Sequence, residues 1–291
     1  MVENKILSEF AVSDEEVRQM IDELLKDKRW DQNEVNNLPR AWIRAIMGRP
    51  FKKNKKERRP FDYSKNKLMD YLDWRKKSAI TSKISHHLNS DGTEIASLTA
   101  SIRPAFYWYG TDSDGAPILW YHADRFNFKG SIVKNDMEVS ALVMQAGLDA
   151  MVASNHHVYD INFVILFDVF NPLEAMRKPT LAPAFVKLFM RIFPDRLKRG
   201  IFLTGTLGHV FYKIAKQIAP SNIMDKVSEV QSREEASKLL IHDKIVEEDK
   251  IPTFLGGTHD HNEEIVGHFP SMIKKISADM MSFTSSATTS Y

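Results

Sequence analysis

NFVILFDV, residues Asn162–Val169, is an almost unbroken apolar run, the pattern of a strand buried on both faces of a parallel sheet. What flanks it alternates. Downstream, Ala184–Phe193 reads as an apolar helix, Gly200–Thr204 as a short strand, His209–Ile218 as an amphipathic helix and Lys226–Val230 as a further strand. Upstream, Met137–Val152 has helical periodicity. Before it, FYWYGTDSDGAPILWY (Phe106–Tyr121) holds two aromatic strand-like runs around a Gly/Asp/Ser turn, the signature of a strand pair. Strands alternating with helices imply βαβ crossovers, so the expected fold class is α/β: a mostly parallel sheet covered by helices on at least one face.

Toward the N-terminus the character changes to helices. Ser13 before Asp14, Glu15 and Glu16 is a helix cap, with a helix expected to about Lys28. Leu38–Met47 places Trp42, Ile43, Ile46 and Met47 on a shared face, and Pro50 ends it. Lys52–Pro60 lacks apolar periodicity and reads as an exposed basic loop; Lys67, Leu68, Tyr71, Leu72 and Trp74 resume a helical stripe. The expected organisation is a helical unit over 1–81, a linker or short helix over 82–103, an α/β domain over 104–260 and a C-terminal extension over 261–291. The closing SFTSSATTSY is expected to be mobile.

Forty basic against thirty-eight acidic residues give a net charge of +2, too balanced for a dedicated nucleic-acid binder. The aromatic runs Phe106–Tyr109 and Trp120–Tyr121 accordingly read as core or pocket walls and not as base-stacking platforms. The absence of cysteine excludes disulfides and thiolate chemistry. No apolar stretch approaches the ~20 residues of a membrane span, and MVENKILSEFAVSDEE is unlike a secretory leader. The expectation is a cytoplasmic protein whose membrane contact is peripheral; within the basic face Arg40–Lys77, the loop Lys52–Arg59 reads either as attracted to anionic headgroups or as a solvated charged loop.

Signatures of catalysis are missing. Gly205-Thr206-Leu207-Gly208 after a strand lacks the spacing and the Lys-Ser/Thr ending of a phosphate loop, and there is no G-x-S-x-G elbow. Asp168, without a second carboxylate two positions on, reads as a ligand of neighbouring loop amides. His156-His157 and His259-Asp260-His261 read as solvated loops. No catalytic residue, cofactor or metal is expected.

Four stretches taken in order resemble the CRAL-TRIO lipid-binding family, the Sec-fourteen-like transfer proteins. Ile43–Phe51 followed by Tyr71-Leu72-Asp73-Trp74-Arg75 is similar to the family's L-R-x-x-x-x-R-x-F and E-W-R helices, with a basic insertion, Lys52–Arg59, between them. Gly110–Ile118 is similar to the G-x-D-x-D-G-R-P-V turn, with Ala116 in place of arginine. Phe193-Pro194-Asp195-Arg196 resembles Y-P-E-R, and Ile251–Thr258 resembles the closing L-P-x-x-x-G-G-x.

The resemblance implies a sheet forming the floor of an apolar cavity, walled by Trp120, Phe163, Ile165 and Phe167 and closed by a movable helix. That gate is Gly208–Pro220, with the stripe Val210, Phe211, Ile214 and Ile218 beside Lys213 and Lys216. It also implies a headgroup site for phosphatidylinositol at Arg49, Asp195 and Lys226, in which the cations meet the phosphodiester and the carboxylate accepts inositol hydroxyls. Asp195 stands one methylene shorter than the family's glutamate. A phosphatidylcholine site is disfavoured by Asn171-Pro172-Leu173, which lacks a serine, and by Leu119 in place of a tyrosine. The expected partner is one phospholipid exchanged at anionic membranes; a carrier of a neutral hydrophobe of sterol, retinoid or tocopherol type is the alternative.

Overall fold

The computed structural model describes residues 10–51, 54–90, 105–125, 133–154, 162–171, 180–193, 195–219 and 221–288. Ser13 caps α1 (Asp14–Leu25) through a reciprocal box: its hydroxyl accepts from the Glu16 amide at 3.2 Å, and its own amide donates to the Glu16 carboxylate at 2.9 Å. Val17, Met20, Ile21 and Leu24 then share one buried face. α2 (Gln32–Asn36), α3 (Arg40–Met47), α4 (Phe61–Ser78) and α5 (Ile80–Asn89) complete the N-terminal unit.

One expectation changes here, and of the linker or short helix expected over 82–103 the first part is helical. The basic stretch after Pro50 is a hairpin: β1 (Pro50–Phe51) pairs antiparallel with β2 (Asn54–Arg58), while Lys52 and Lys53 lie outside the described residues. Its polar residues carry no apolar alternation to announce a strand. Tertiary bonds hold it instead: the Arg59 amide donates to the Arg49 carbonyl at 2.9 Å, and Arg58 reaches the Ala11 carbonyl at 3.0 Å. The start of the expected linker is α5, whose Ile80, Ile84 and His87 are buried at helical spacing. Residues 91–104 lie outside the described residues.

The α/β domain has a five-stranded sheet in the order β3 (Phe106–Thr111), β4 (Pro117–His122), β5 (Phe163–Asp168), β6 (Leu197–Leu203), β7 (Val227–Val230). Only β3–β4 is antiparallel. In the β3–β4 turn one Asp112 carboxylate oxygen accepts from the Asp114 and Ala116 amides, both at 2.9 Å, while Lys198 bonds the other at 2.7 Å; this is what the aspartate-rich motif builds. Register puts Phe163, Ile165 and Phe167 on one face and Val164, Leu166 and Asp168 on the other. The first face is covered by α6 (Val133–Ala153), whose Val143 carbonyl accepts from the Trp108 indole at 2.8 Å, and by α7 (Leu181–Ile192), which stacks Phe185 and Phe189 over it. α8 (Gly205–Ile218) and α9 (Ser221–Met224) connect β6 to β7, and α10 (Arg233–His242) packs against β6 and β7.

The C-terminal extension is largely helical, while the expected mobile stretch SFTSSATTSY falls on its last turns and on residues 289–291, which lie outside the described residues. After α11 (Glu263–Val266), α12 runs Phe269–Thr288 and buries Phe269, Met272, Ile273, Ile276 and Met280 against β3, α5 and α6. Its small polar residues fall on the outer positions of an apolar stripe with helical period. Among the described residues no helix is long and apolar enough to cross a membrane.

Candidate functional site

A cavity of about 810 Å³ lies between the sheet and α7, α8 and α9, within the ~300–1,000 Å³ range of small-molecule sites. Phe163, Ile165 and Phe167 of β5 and Leu197 and Phe202 of β6 form its floor; Phe185, Phe189 and Phe193 form its wall. The rings pack closely, with Phe167–Phe202 centroids at 4.4 Å and Phe185–Phe189 at 4.5 Å. Such a lining is suited to hydrocarbon.

One end of the cavity is charged. Arg49 follows α3, Arg59 follows β2, and Asp195 stands between α7 and β6. Arg49 Nε lies 3.3 Å from Asp195 Oδ1 and Arg59 Nη1 lies 2.6 Å from Oδ2, with the Arg49 and Asp195 side chains only 5% and 3% exposed. Arg59 Nη1 also donates to the Ile46 carbonyl at 3.1 Å. Asp195 adopts φ +59°, the left-handed region in which aspartate is among the better tolerated residues. The two arginines offset the desolvation of the buried carboxylate and dock the N-terminal unit onto the sheet. The neighbouring Arg196 adds to that docking, its guanidinium 4.5 Å over the Trp42 ring.

The expected site residues are only partly brought together. Arg49 and Asp195 meet at the cavity; Lys226 does not line it, because its Nζ donates to the Leu197 carbonyl at 2.5 Å. Trp120 is a correction: strand alternation sends it to the opposite face, where its indole donates to the Tyr109 carbonyl at 2.9 Å and its ring meets Phe254 and His261. Tyr121 points to the cavity face, against Phe167 and Phe185.

The expected gate stripe also divides. Ile218 and Ala215 line the cavity, Phe211 is buried, Ile214 is half-buried, and Val210 faces outward at 50% exposed beside Leu207 at 47%. The glycines of α8 cause this. A Cβ on Gly208 would stand 2.1 Å from the Val169 carbonyl oxygen, and one on Gly205 2.9 Å from the Phe170 ring. The helix therefore seats its 205, 208, 211 and 215 edge inward. Its first turns are also pinned by His209 Nδ1, 2.5 Å from a Glu229 oxygen that accepts from the Thr204 hydroxyl at 3.0 Å.

The back face holds a buried polar chain that replaces the expected solvated histidine loop. His122 Nδ1 lies 3.3 Å from Asp168 Oδ2, Tyr107 Oη lies 3.1 Å from His122 Nε2, and His261 Nδ1 lies 3.2 Å from Tyr107 Oη. With neutral rings the protons run one way: His122 donates to Asp168, Tyr107 to His122, and His261 to Tyr107. Burial first, then His259, His122, Arg125 and Lys275, push His261 down to about 3; burial likewise lowers His122 and raises Tyr107. Asp168 also accepts from the Phe170 amide at 3.1 Å, the loop-amide role expected of it. Of the other expected pair, His156 and His157 lie outside the described residues.

Sequence comparison bears on the same architecture. The family model for the CRAL/TRIO domain matches residues 104–257, more than half of the chain. The chain belongs to the CRAL-TRIO family. Among solved structures, the crystal structure of Sfh5 is similar at 12% identity and a TM-score of 0.44, over 62% of this chain and 64% of that one, so less than two thirds of its length is spanned. No curated protein matches the chain. The cavity residues that sequence reasoning missed include Phe185, Phe189 and Phe202 of the apolar lining, Asp225, and Arg59, Tyr63 and Lys67 from the end of the basic hairpin and the start of α4.

Proposed function

We propose that this CRAL-TRIO protein carries one phospholipid of the phosphatidylinositol type, acyl chains along the phenylalanine floor and headgroup at the Arg49–Asp195 end, and exchanges it with anionic membranes. The supporting observation is a cavity whose lining combines a phenylalanine-rich floor and wall with the cluster Arg49, Arg59 and Asp195. Its charged lining residues are Arg49, Arg59 and Lys67 against Asp195 and Asp225, three cations less two carboxylates, an excess of one. One phosphodiester carries the matching charge. Asp195 meets one arginine at each oxygen, and a carboxylate has about four acceptor directions, so hydroxyls of an inositol ring still find acceptors there. Burial of acyl chains supplies affinity at ~0.8 kcal/mol per CH₂, leaving selectivity to the headgroup contacts.

Native mass spectrometry of the full chain, followed by denaturing analysis of the released ligand, tests the reading. A phosphatidylinositol mass is expected. A phosphorus-free hydrophobe would reduce Arg49, Asp195 and Arg59 to a docking network and keep only the carrier, whereas a folded protein that takes up no lipid from vesicles would remove the carrier as well.

A further inference from the structure

We propose that Arg59, Tyr63 and Lys67 form an anion subsite at the cavity mouth that selects lipids by their phosphate, so that the N-terminal unit sets headgroup selectivity; the inference rests on the carrier reading above. The three residues are spaced by four and line the cavity together, Arg59 just ahead of α4 and Tyr63 and Lys67 one turn apart on it. Their positions share one face of the helix and its approach. The Arg59 guanidinium and the Lys67 ammonium lie 5.8 Å and 5.4 Å from the same Tyr63 ring.

Part of their donor capacity is uncommitted. Both hydrogen bonds of Arg59 leave from Nη1, so among the described residues its Nε and Nη2 bond nothing. Lys67 is half-buried and has the Tyr63 ring as its contact, with no carboxylate in ion-pair reach among the described residues. The Tyr63 hydroxyl is likewise without a hydrogen bond among them, on a residue 38% exposed. Arg49 and Asp195 beside them are more deeply buried, with side chains 5% and 3% exposed. A planar guanidinium edge, an ammonium and a phenol converging on one mouth match the acceptor oxygens of a phosphate. A sterol or acylglycerol headgroup leaves Lys67 desolvated without a counter-charge, and a choline group brings a further cation to a site that holds two.

The test loads delipidated full-length protein from vesicles containing equal phosphatidylinositol, phosphatidylcholine and diacylglycerol, and reads the bound lipids by mass spectrometry. The native protein should enrich phosphatidylinositol. Lys67→Met should lower the phosphatidylinositol-to-diacylglycerol ratio about tenfold, the equivalent of ~1.4 kcal/mol for one charge-assisted contact. Tyr63→Phe should lower it less, and Lys67→Arg should restore it. A ratio unmoved by Lys67→Met and Tyr63→Phe in folded, lipid-loaded protein overturns the subsite alone; a native protein that loads none of the three lipids overturns the carrier reading beneath it. Inorganic phosphate that raises the melting temperature of delipidated protein as much as phosphatidylinositol vesicles do would assign the subsite to a soluble anion and overturn the lipid assignment.

Discussion

At the level of single residues, His261 carries a pH dependence whose sign is fixed by its surroundings. Burial, with the charges of His259, His122, Arg125 and Lys275, holds it at about 3 against an ordinary 6.5. The unfolded chain therefore takes up a proton below about 6.5 that the folded chain refuses until about 3, so stability is full above that window and lost as pH falls through it. His122, lowered chiefly by burial, acts in the same direction. Between about pH 7.5 and about pH 5, His261 alone should cost ~2 kcal/mol. Urea midpoints across that range check this: His261→Gln should be less stable at neutral pH but flatter, and an equally steep variant would rule the histidine out as the source. The sequence hid this group because His259-Asp260-His261 has no periodicity of its own; its burial comes from Tyr107, Trp120 and Phe254, far apart in the chain. Asp168, by contrast, was legible, since a carboxylate ending a buried strand must find nearby amides. Arg59 was legible as a cation but not as a cavity residue, because only the hairpin pairing with Pro50–Phe51 turns it inward.

At the level of elements, the most hydrophobic pieces were the most readable. NFVILFDV could only be a doubly buried strand, and its alternation already assigned Phe163, Ile165 and Phe167 to one face. Alternation within one strand does not say which parity faces the cavity in its neighbour; that depends on register, and it placed Trp120 on the back and Tyr121 at the front. The roll of α8 was equally hidden, since two glycines choose it. Gly208→Ala should for that reason destabilise despite alanine's ~1 kcal/mol advantage in helix propensity, because its Cβ would meet the Val169 carbonyl at 2.1 Å. A lowered melting temperature with faster lipid exchange is expected; Thr206→Ala, exposed on the same turn, is the control that should leave both unchanged. α12 offers the converse case. Ile276 is fully buried at 0% exposed, so Ile276→Ala should cost ~2–5 kcal/mol by urea unfolding, an outcome that a loosely attached tail would not produce.

At the scale of the whole molecule, α8 joins the two surfaces that the proposed carrier would have to connect. Its inner edge closes the cavity through Ala215 and Ile218, while its outer side shows Leu207 and Val210, both about half exposed, followed by exposed Lys213 and Lys216. The two ends of the helix are not held alike: Gly205, Gly208 and the His209–Glu229 contact fix the first turns to Val169, Phe170 and β7. On the proposed carrier reading, release of a ligand would require least disruption if the later turns swung outward while the first stayed seated, which would leave the apolar pair at the pivot, free to meet a bilayer interface. Leu207→Ser combined with Val210→Ser should therefore slow lipid transfer between anionic vesicles severalfold while leaving the lipid content of the purified protein intact, because neither residue lines the cavity. Raised ionic strength should slow transfer further by screening Lys213 and Lys216. If the double variant loses its bound lipid, the outer face is part of the pocket's stability; if transfer and salt dependence both match the native protein, the membrane meets another surface, and the basic hairpin beside Arg59 becomes the next face to alter.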